Sequence, residues 1–188
     1  MALLFLTAQI DRFYAWLTSL RIKAIGGSVG PHIRVRGGIP YLRNDGRLMV
    51  GRHVRLRNEP NRIRLRTSDE GAIVLGNEVS LNTGVQIYSA VLVEVGDGSR
   101  VGDNVALFDT SFHAVHEDQT AMPRPILIGR NVWIGRNAII LPGVSIGDHS
   151  VIAAGSVVFN SVPAGQLWRG NPAVFVKNVR ASDAFRRG

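Results

Sequence analysis

Every sixth residue from Ile128 to Val158 is aliphatic: Ile128, Ile134, Ile140, Ile146, Ile152 and Val158. Gly follows three of the first four, and four residues after each of the first five sits a small or short-branched side chain: Val132, Ala138, Val144, Ser150 and Ser156. An α-helix steps its apolar stripe by three and four, so it cannot hold a strict six. A single strand fails too, because its alternation would have to survive Gly135, Gly143 and Gly147. The pattern suits short flat faces, one inward aliphatic residue per face and a turn after each. That is the signature of a solenoid.

The same period appears in fragments upstream: Val29 and Val35, Val50 and Leu56, then Leu75, Leu81, Ile87, and Val95, Val101, Leu107. From Ile87 to Val95 the step is eight, which places a bulged corner near Ser89 and Ala90. From Leu107 to Ile128 it is twenty-one, three more than three faces need. The excess falls in Phe108 to Pro125, where Asp109, His113, His116, Glu117 and Asp118 cluster. Residues 37–47 and 58–61 read as turns. Pro163 and Gly170-Asn171-Pro172-Ala173 are expected to end the ladder, leaving Val174 to Gly188 as a short strand or helix with a frayed basic tail. Residues 2–22 read as an amphipathic helix with the stripe Leu3, Leu6, Ile10, Phe13, Leu17 and Leu20. The expected division is a helix over 1–24, a β-helix over 25–160 with an active-site loop at 108–125, and a C-terminal cap and tail over 161–188.

Composition narrows the function. With no cysteine, thiolate nucleophiles, thiolate metal sites and disulfides are excluded. No apolar run approaches the roughly 18 residues needed to cross a bilayer, and Met1 to Ile10 lacks the basic n-region of a signal peptide. A cytoplasmic protein is expected. The net charge of +8 is uneven: residues 21–66 hold twelve Lys/Arg against Asp45 and Glu59, a local +10. Either this is a solubilising face or it attracts anionic substrates or lipid headgroups; no motif for nucleic acid accompanies it. The helix is expected to pack on the body or on a partner subunit, with insertion at a membrane interface as the rival reading.

Asn131-Val132-Trp133-Ile134-Gly135, Pro142-Gly143-Val144-Ser145-Ile146-Gly147, Ala154-Gly155-Ser156-Val157-Val158 and Gly170-Asn171-Pro172-Ala173 resemble the C-terminal signature of the hexapeptide-repeat acyltransferases. Asp109-Thr110-Ser111-Phe112-His113 resembles the aspartate-to-histidine loop of the sugar O-acetyltransferase branch, which includes galactoside, maltose, nodulation-factor, capsule and lipopolysaccharide enzymes. The resemblance covers roughly residues 70–178. It implies an all-β left-handed parallel β-helix, a homotrimer with active sites between subunits, and acetyl-coenzyme A as co-substrate with no metal. It also implies direct transfer to a hydroxyl of a saccharide or cell-envelope glycan precursor in a ternary complex.

Acyl transfer from a thioester to a hydroxyl needs a base, an oxyanion donor and a slot for the carrier. An imidazole can be neutral near neutral pH and still take a proton. The resemblance gives the base role to His113, with His116 as rival; His149 sits in a turn inside the ladder, and His32 and His53 carry no motif. It places Asn82 at the acceptor, although the acidic partner expected about eight residues later is replaced by Ser89 and Ala90. Asp109 would position acceptor or base, or simply form a turn. Trp133 would flank the active site, the Arg136 backbone N–H would meet the thioester oxygen, Ala154 would line the pantetheine slot, and Lys177 would meet the coenzyme phosphates. Alternatives are an N-acetyltransferase of amino-sugar nucleotides, a zinc carbonic anhydrase on the same fold, and a non-catalytic assembly solenoid.

Overall fold

The period of six becomes a three-sided prism of parallel strands. The computed structural model describes residues 2–187 apart from Val115, His116, Gln119, Ala121 and Asp183. Helix α1 (Ala2–Ala24) leads into a first coil of β1 (Ser28–Val29), β2 (Arg34–Arg36) and β3 (Tyr41–Asn44). The second coil is β4 (Arg47–Val50), β5 (Arg55–Arg57) and β6 (Arg64–Thr67); the third is β7 (Ala72–Leu75), β8 (Ser80–Leu81) and β9 (Gln86–Ser89). The fourth is β10 (Val93–Val95), β11 (Arg100–Val101) and β12 (Ala106–Phe108), and the fifth β13 (Ile126–Ile128), β14 (Trp133–Ile134) and β15 (Ile139–Ile140). The sixth is β16 (Ser145–Ile146), β17 (Val151–Ile152) and β18 (Val157–Val158), followed by β19 (Gln166–Gly170) and β20 (Ala173–Asn178). Each coil gives its first strand to one sheet, its second to another and its third to the last.

The coils stack in register. Leu75, Val95 and Ile128 are successive partners on the first sheet, Leu81, Val101 and Ile134 on the second, and Ile87, Leu107 and Ile140 on the third. All nine are buried. Each such side chain contributes roughly 1.5–3 kcal/mol over leaving it in water, and each coil finds its backbone partners in the coils beside it. At the corner between the second and third sheets, Gly84, Asn104, Asn137 and Gly155 have φ of 71°, 55°, 58° and 69°. Glycine reaches this left-handed region freely and asparagine tolerates it, which explains why those two residues recur there.

Two stretches differ from expectation. Tyr41–Asn44, inside a segment read as turns, is a strand of the third sheet whose Leu42 is buried; the step of seven from Val35 hid it. At the other end the ladder runs past Pro163. Val162 bridges to Ile146, β19 pairs in parallel with β17, and β20 folds back antiparallel on β19. Described residues of the expected frayed tail are held on the prism: the Phe185 carbonyl accepts from Asn131 Nδ2 at 2.9 Å, and the Arg187 carbonyl accepts from Arg100 Nε and Nη2 at 3.0 and 2.7 Å.

Helix α1 packs on the body, but with the opposite face to the apolar stripe. Thr18 and Ile22 are fully buried, and Tyr14 and Ala15 lean on the core below them. Asp11 reaches Arg36 at 3.2 Å. The stripe faces outward instead, with Leu6 57%, Phe13 55%, Trp16 61% and Leu20 50% exposed; the Leu3 side chain lies outside the described residues. At 3.6 residues per turn the exposed stripe is centred roughly 160–200° from the Thr18–Ile22 face. Capping the first coil requires only one narrow contact, so small Ala15 and Thr18 let the helix approach while the large side chains stay outside.

Ile140→Ala is expected to cost about 2–5 kcal/mol in chemical denaturation. Glu94→Ala, on the outward side of β10 between buried Val93 and Val95, is expected to change stability by less than about 0.5 kcal/mol.

Candidate active site

The long interruption sits at the corner from the third sheet back to the first, between β12 and β13. Its ends are pinned together, since the Arg124 backbone N–H donates to the Asp109 carbonyl at 2.8 Å. The Asp109 side chain is fully buried. Its carboxylate accepts from Ser89 Oγ at 2.9 Å and from the backbone N–H groups of Ala90 at 2.7 Å, Val91 at 2.9 Å and Leu92 at 2.9 Å. These donors are the bulged corner of the preceding coil, where the step of eight falls. Of the roles expected for Asp109, positioning the acceptor or the base or forming a turn, full burial with four donors favours the structural one. The carboxylate locks the neck of the loop to the coil beneath.

Four residues beyond the neck stands His113, exposed to solvent. Its carbonyl accepts from Ser111 Oγ at 2.9 Å. Beside it Phe112, at φ 63°, packs on Tyr88 with ring centroids 4.7 Å apart and edge-on against Phe108 at 5.9 Å. Two aromatic contacts thus hold Phe112 against the third sheet, next to the exposed His113. His116 lies outside the described residues. His32, His53 and His149 all occupy left-handed corner positions, and His149 Nδ1 lies 2.9 Å from Asn131 Nδ2, an architectural role.

The remaining candidates gather on the second sheet and its far corner. Asn82, Gly102, Gly135 and Ala153 stack down that corner, each of the first three donating its N–H to the coil below at 2.8–2.9 Å, and Ala153 to Trp168 at 2.9 Å. Arg136 and Ala154 follow at the next position, both exposed. The Arg136 backbone N–H has no acceptor among the described residues, while its side chain pairs with Asp103 at 3.0 Å. Trp133 projects from β14 with half its surface exposed. Lys177 is on β20, the last strand of the same sheet, opposite Leu167.

A groove of about 860 Å³ runs along the outward face of this sheet, lined by Asn82, Trp133, Arg34, Arg55, Arg57 and Arg100 and bordered by Phe185 and Arg187 of the tail. Burial first, and the facing Arg55 charge second, hold the Arg100 guanidinium below its ordinary range, with Glu78 opposing. Arg100 also donates to Ser80 Oγ at 2.8 Å. Sequence reasoning singled out the basic segment without locating it; the signal was the spacing of Arg34 and Arg36, and Arg55 and Arg57, two apart around a core residue.

Within one chain the candidates fall in two places. Asn82, Arg136 and Ala154 lie at the corner between second and third sheets with Trp133 on the second sheet, whereas His113 belongs to the corner between third and first. Replacing Asp109 with Asn is expected to lose about 1.5–3 kcal/mol, because one carboxylate oxygen becomes an amide donor facing N–H groups. Denaturation measures the loss, and faster amide exchange at Ala90, Val91 and Leu92 would locate it.

Comparison with known proteins agrees with this fold. The family described as "Bacterial transferase hexapeptide (six repeats)" matches residues 125–160. The galactoside O-acetyltransferase of Escherichia coli (strain K12) is 36% identical over 115 residues, 59% of this chain and 56% of that protein. The chain thus spans just over half the length of the first curated relatives it matches. A putative lipopolysaccharide biosynthesis O-acetyl transferase of the same organism is 30% identical over 149 residues, covering 73% of this chain and 74% of the relative. Among solved structures, an N-acyltransferase from Bacillus cereus, in complex with dTDP-4-amino-4,6-dideoxyglucose and coenzyme A, superposes with a TM-score of 0.72 at 19% identity, covering 87% of this chain and 89% of that one. The stacked three-sheet prism is a left-handed parallel β-helix, and the chain belongs to the hexapeptide-repeat transferase family.

Proposed function

We propose that the protein is an acetyl-coenzyme A-dependent O-acetyltransferase of a saccharide, acting as a homotrimer with its active sites between subunits. The observation that carries this reading is the division of the candidates into two half-sites on different edges of the prism. One copy offers Asn82 and Trp133 along a groove, with the exposed Arg136 at the corner beside it, and in this reading a second copy's loop brings His113 to them. The names of the relatives support acetyl transfer to a sugar hydroxyl.

In the proposed reaction His113 takes the proton of the acceptor hydroxyl as its oxygen attacks the thioester carbon. The resulting oxyanion accepts from the Arg136 backbone N–H, a donor of a kind worth about 2.7–4 kcal/mol elsewhere. The carbon–sulfur bond then breaks, and the imidazolium returns its proton to the departing thiolate. Asn82 holds the acceptor, Ala154 borders the pantetheine arm, Trp133 covers the reacting centre and Lys177 meets the coenzyme phosphates. General-base help of this kind is worth about 10²–10⁴-fold. An amino-sugar nucleotide acceptor is the second reading, favoured by the structural likeness to an N-acyltransferase.

The cell-envelope part of the proposal rests on α1. No described helix is long and apolar enough to cross a membrane. Yet Leu6, Ile10, Phe13, Trp16 and Leu20 form an exposed apolar face, flanked on the helix by Arg12, Arg21 and Lys23. A helix with this pattern lies in the interface of an anionic bilayer, and the proposed place of action is the membrane surface that carries glycan precursors.

Thiol release from acetyl-coenzyme A, screened across sugars, amino-sugar nucleotides and lipid-linked glycans, tests the chemistry. His113→Ala should lower release by about 10²–10⁴-fold with the trimer intact by light scattering; undiminished release would remove His113 from the mechanism. Co-sedimentation with phosphatidylglycerol vesicles tests the helix. Binding should disappear in a Phe13→Glu, Trp16→Glu variant, whereas a wild-type protein that stays in the supernatant would rule the membrane role out.

A further inference from the structure

We infer that Arg34, Arg36, Arg55 and Arg57 form a diphosphate-binding site, so that the acceptor is a diphosphate-linked saccharide whose sugar reaches Asn82. The identity of the acceptor rests on the acyltransferase reading above; the anion site stands on the groove alone.

The four arginines make a square. Arg34 is the register partner of Arg55, and Arg36 of Arg57, on adjacent strands of the second sheet. Their Cα atoms are therefore about 4.8 Å apart across the strands and about 6.6 Å apart along them. Val35 and Leu56 between them point into the core, so all four side chains leave from the outward face. Like charges directly opposite one another in a sheet destabilise it. The other arginines on this protein's outer surface include pairs with carboxylates: Arg43 with Asp45, Arg130 with Asp148, Arg136 with Asp103. Within the square only Arg36 has such a partner, Asp11 at 3.2 Å. Among the described residues the guanidinium groups of Arg34, Arg55 and Arg57 make no hydrogen bond and no ion pair. Concentrated, unneutralised charge along a groove is what an anionic ligand would offset.

The chemistry selects the ligand. A guanidinium presents two parallel N–H groups to two oxygens, and four of them around one patch match two adjoining phosphoryl groups better than a lone carboxylate. With Lys177 in its proposed place at the coenzyme phosphates, the square is a separate phosphate site. Lys177 is on the last strand of the sheet, six strand spacings from β5, or about 29 Å. In the other direction Arg57 follows Leu56 and Asn82 follows Leu81, and Leu56 and Leu81 are direct partners. Arg57 thus lies one coil from the acceptor residue. A second groove, between α1 and β2, shares Arg34 and Arg36 and continues the path toward the helix along Ala8 and Arg12. Both a nucleoside diphosphate and a polyprenyl diphosphate carry the required group.

The test is calorimetric titration of the full chain with inorganic pyrophosphate, which needs no turnover. Pyrophosphate should bind, with Arg55→Gln and Arg57→Gln each weakening it about tenfold, while coenzyme A binding by these variants stays at the wild-type level. Arg34→Gln, at the far corner of the square, provides a third variant, and unchanged melting curves confirm folding. Displacement of pyrophosphate by a uridine diphosphate sugar or by a detergent-solubilised polyprenyl diphosphate supports the site and identifies its source. The inference is overturned if pyrophosphate fails to bind at millimolar concentration, if sulfate displaces it equally well, or if Lys177→Gln rather than the arginine variants abolishes binding. Absence of thiol release with every acceptor would end the acyltransferase reading while leaving the pyrophosphate result in force.

Discussion

A coil of this prism has no backbone partner except the coils on either side. Its strands are two to four residues long, too short to persist alone, and their N–H and C=O groups are satisfied only by stacking in register. From that requirement comes everything else about the molecule's surface. Residues at one coil position form a column, so a property chosen once per coil becomes a stripe along the prism. The inward columns are aliphatic and make the core. The left-handed corner columns are Gly, Asn and His, with Glu78 the exception between first and second sheets. The outward column of the second sheet reads Arg34, Arg55, Ser80, Arg100 and Trp133, cationic at one end and aromatic at the other.

Rigidity of this kind positions groups well but cannot bring opposite corners of one triangle together. Chemistry that needs a base, an oxyanion donor and two ligands must therefore use a projection from the prism and a surface on it. The segment that leaves the prism at Asp109 is anchored by the Asp109 carboxylate and by Phe112 against Tyr88 and Phe108. The corner carrying Asn82 in one column and Arg136 and Ala154 in the next is the surface. In the proposed trimer a second copy of the chain supplies the other half.

How much of this was legible depended on whether periodicity carried the information. From Leu75 to Val158 the sixfold step marks core residues directly, and its two breaks mark the two irregular corners. In the first coils the step drifts, so Leu42 was hidden inside an apparent turn. The role of Asp109 was not readable, because its four donors come from residues 89–92, joined to it only by stacking. Helix α1 misled in an instructive way. Its apolar stripe is real, yet the face that packs is the one built of Ala15, Thr18 and Ile22, since the end of a narrow prism offers contact for only a few side chains.

The neck of the loop also bears on how such a chain can vary in length. A whole coil of eighteen residues can be gained or lost without moving any residue to a different face, whereas a single residue shifts every face after it. From Leu75 onward the chain escapes that arithmetic at residues 88–94 and 108–125, and one buried carboxylate joins the two. Trimming the first corner back to a strict six would remove N–H donors from Asp109 and leave a buried charge short of partners. Shortening the second through its neck would strand the donors instead. The two irregularities are therefore tied, and the reach of His113 cannot be retuned at one of them without answering to the other.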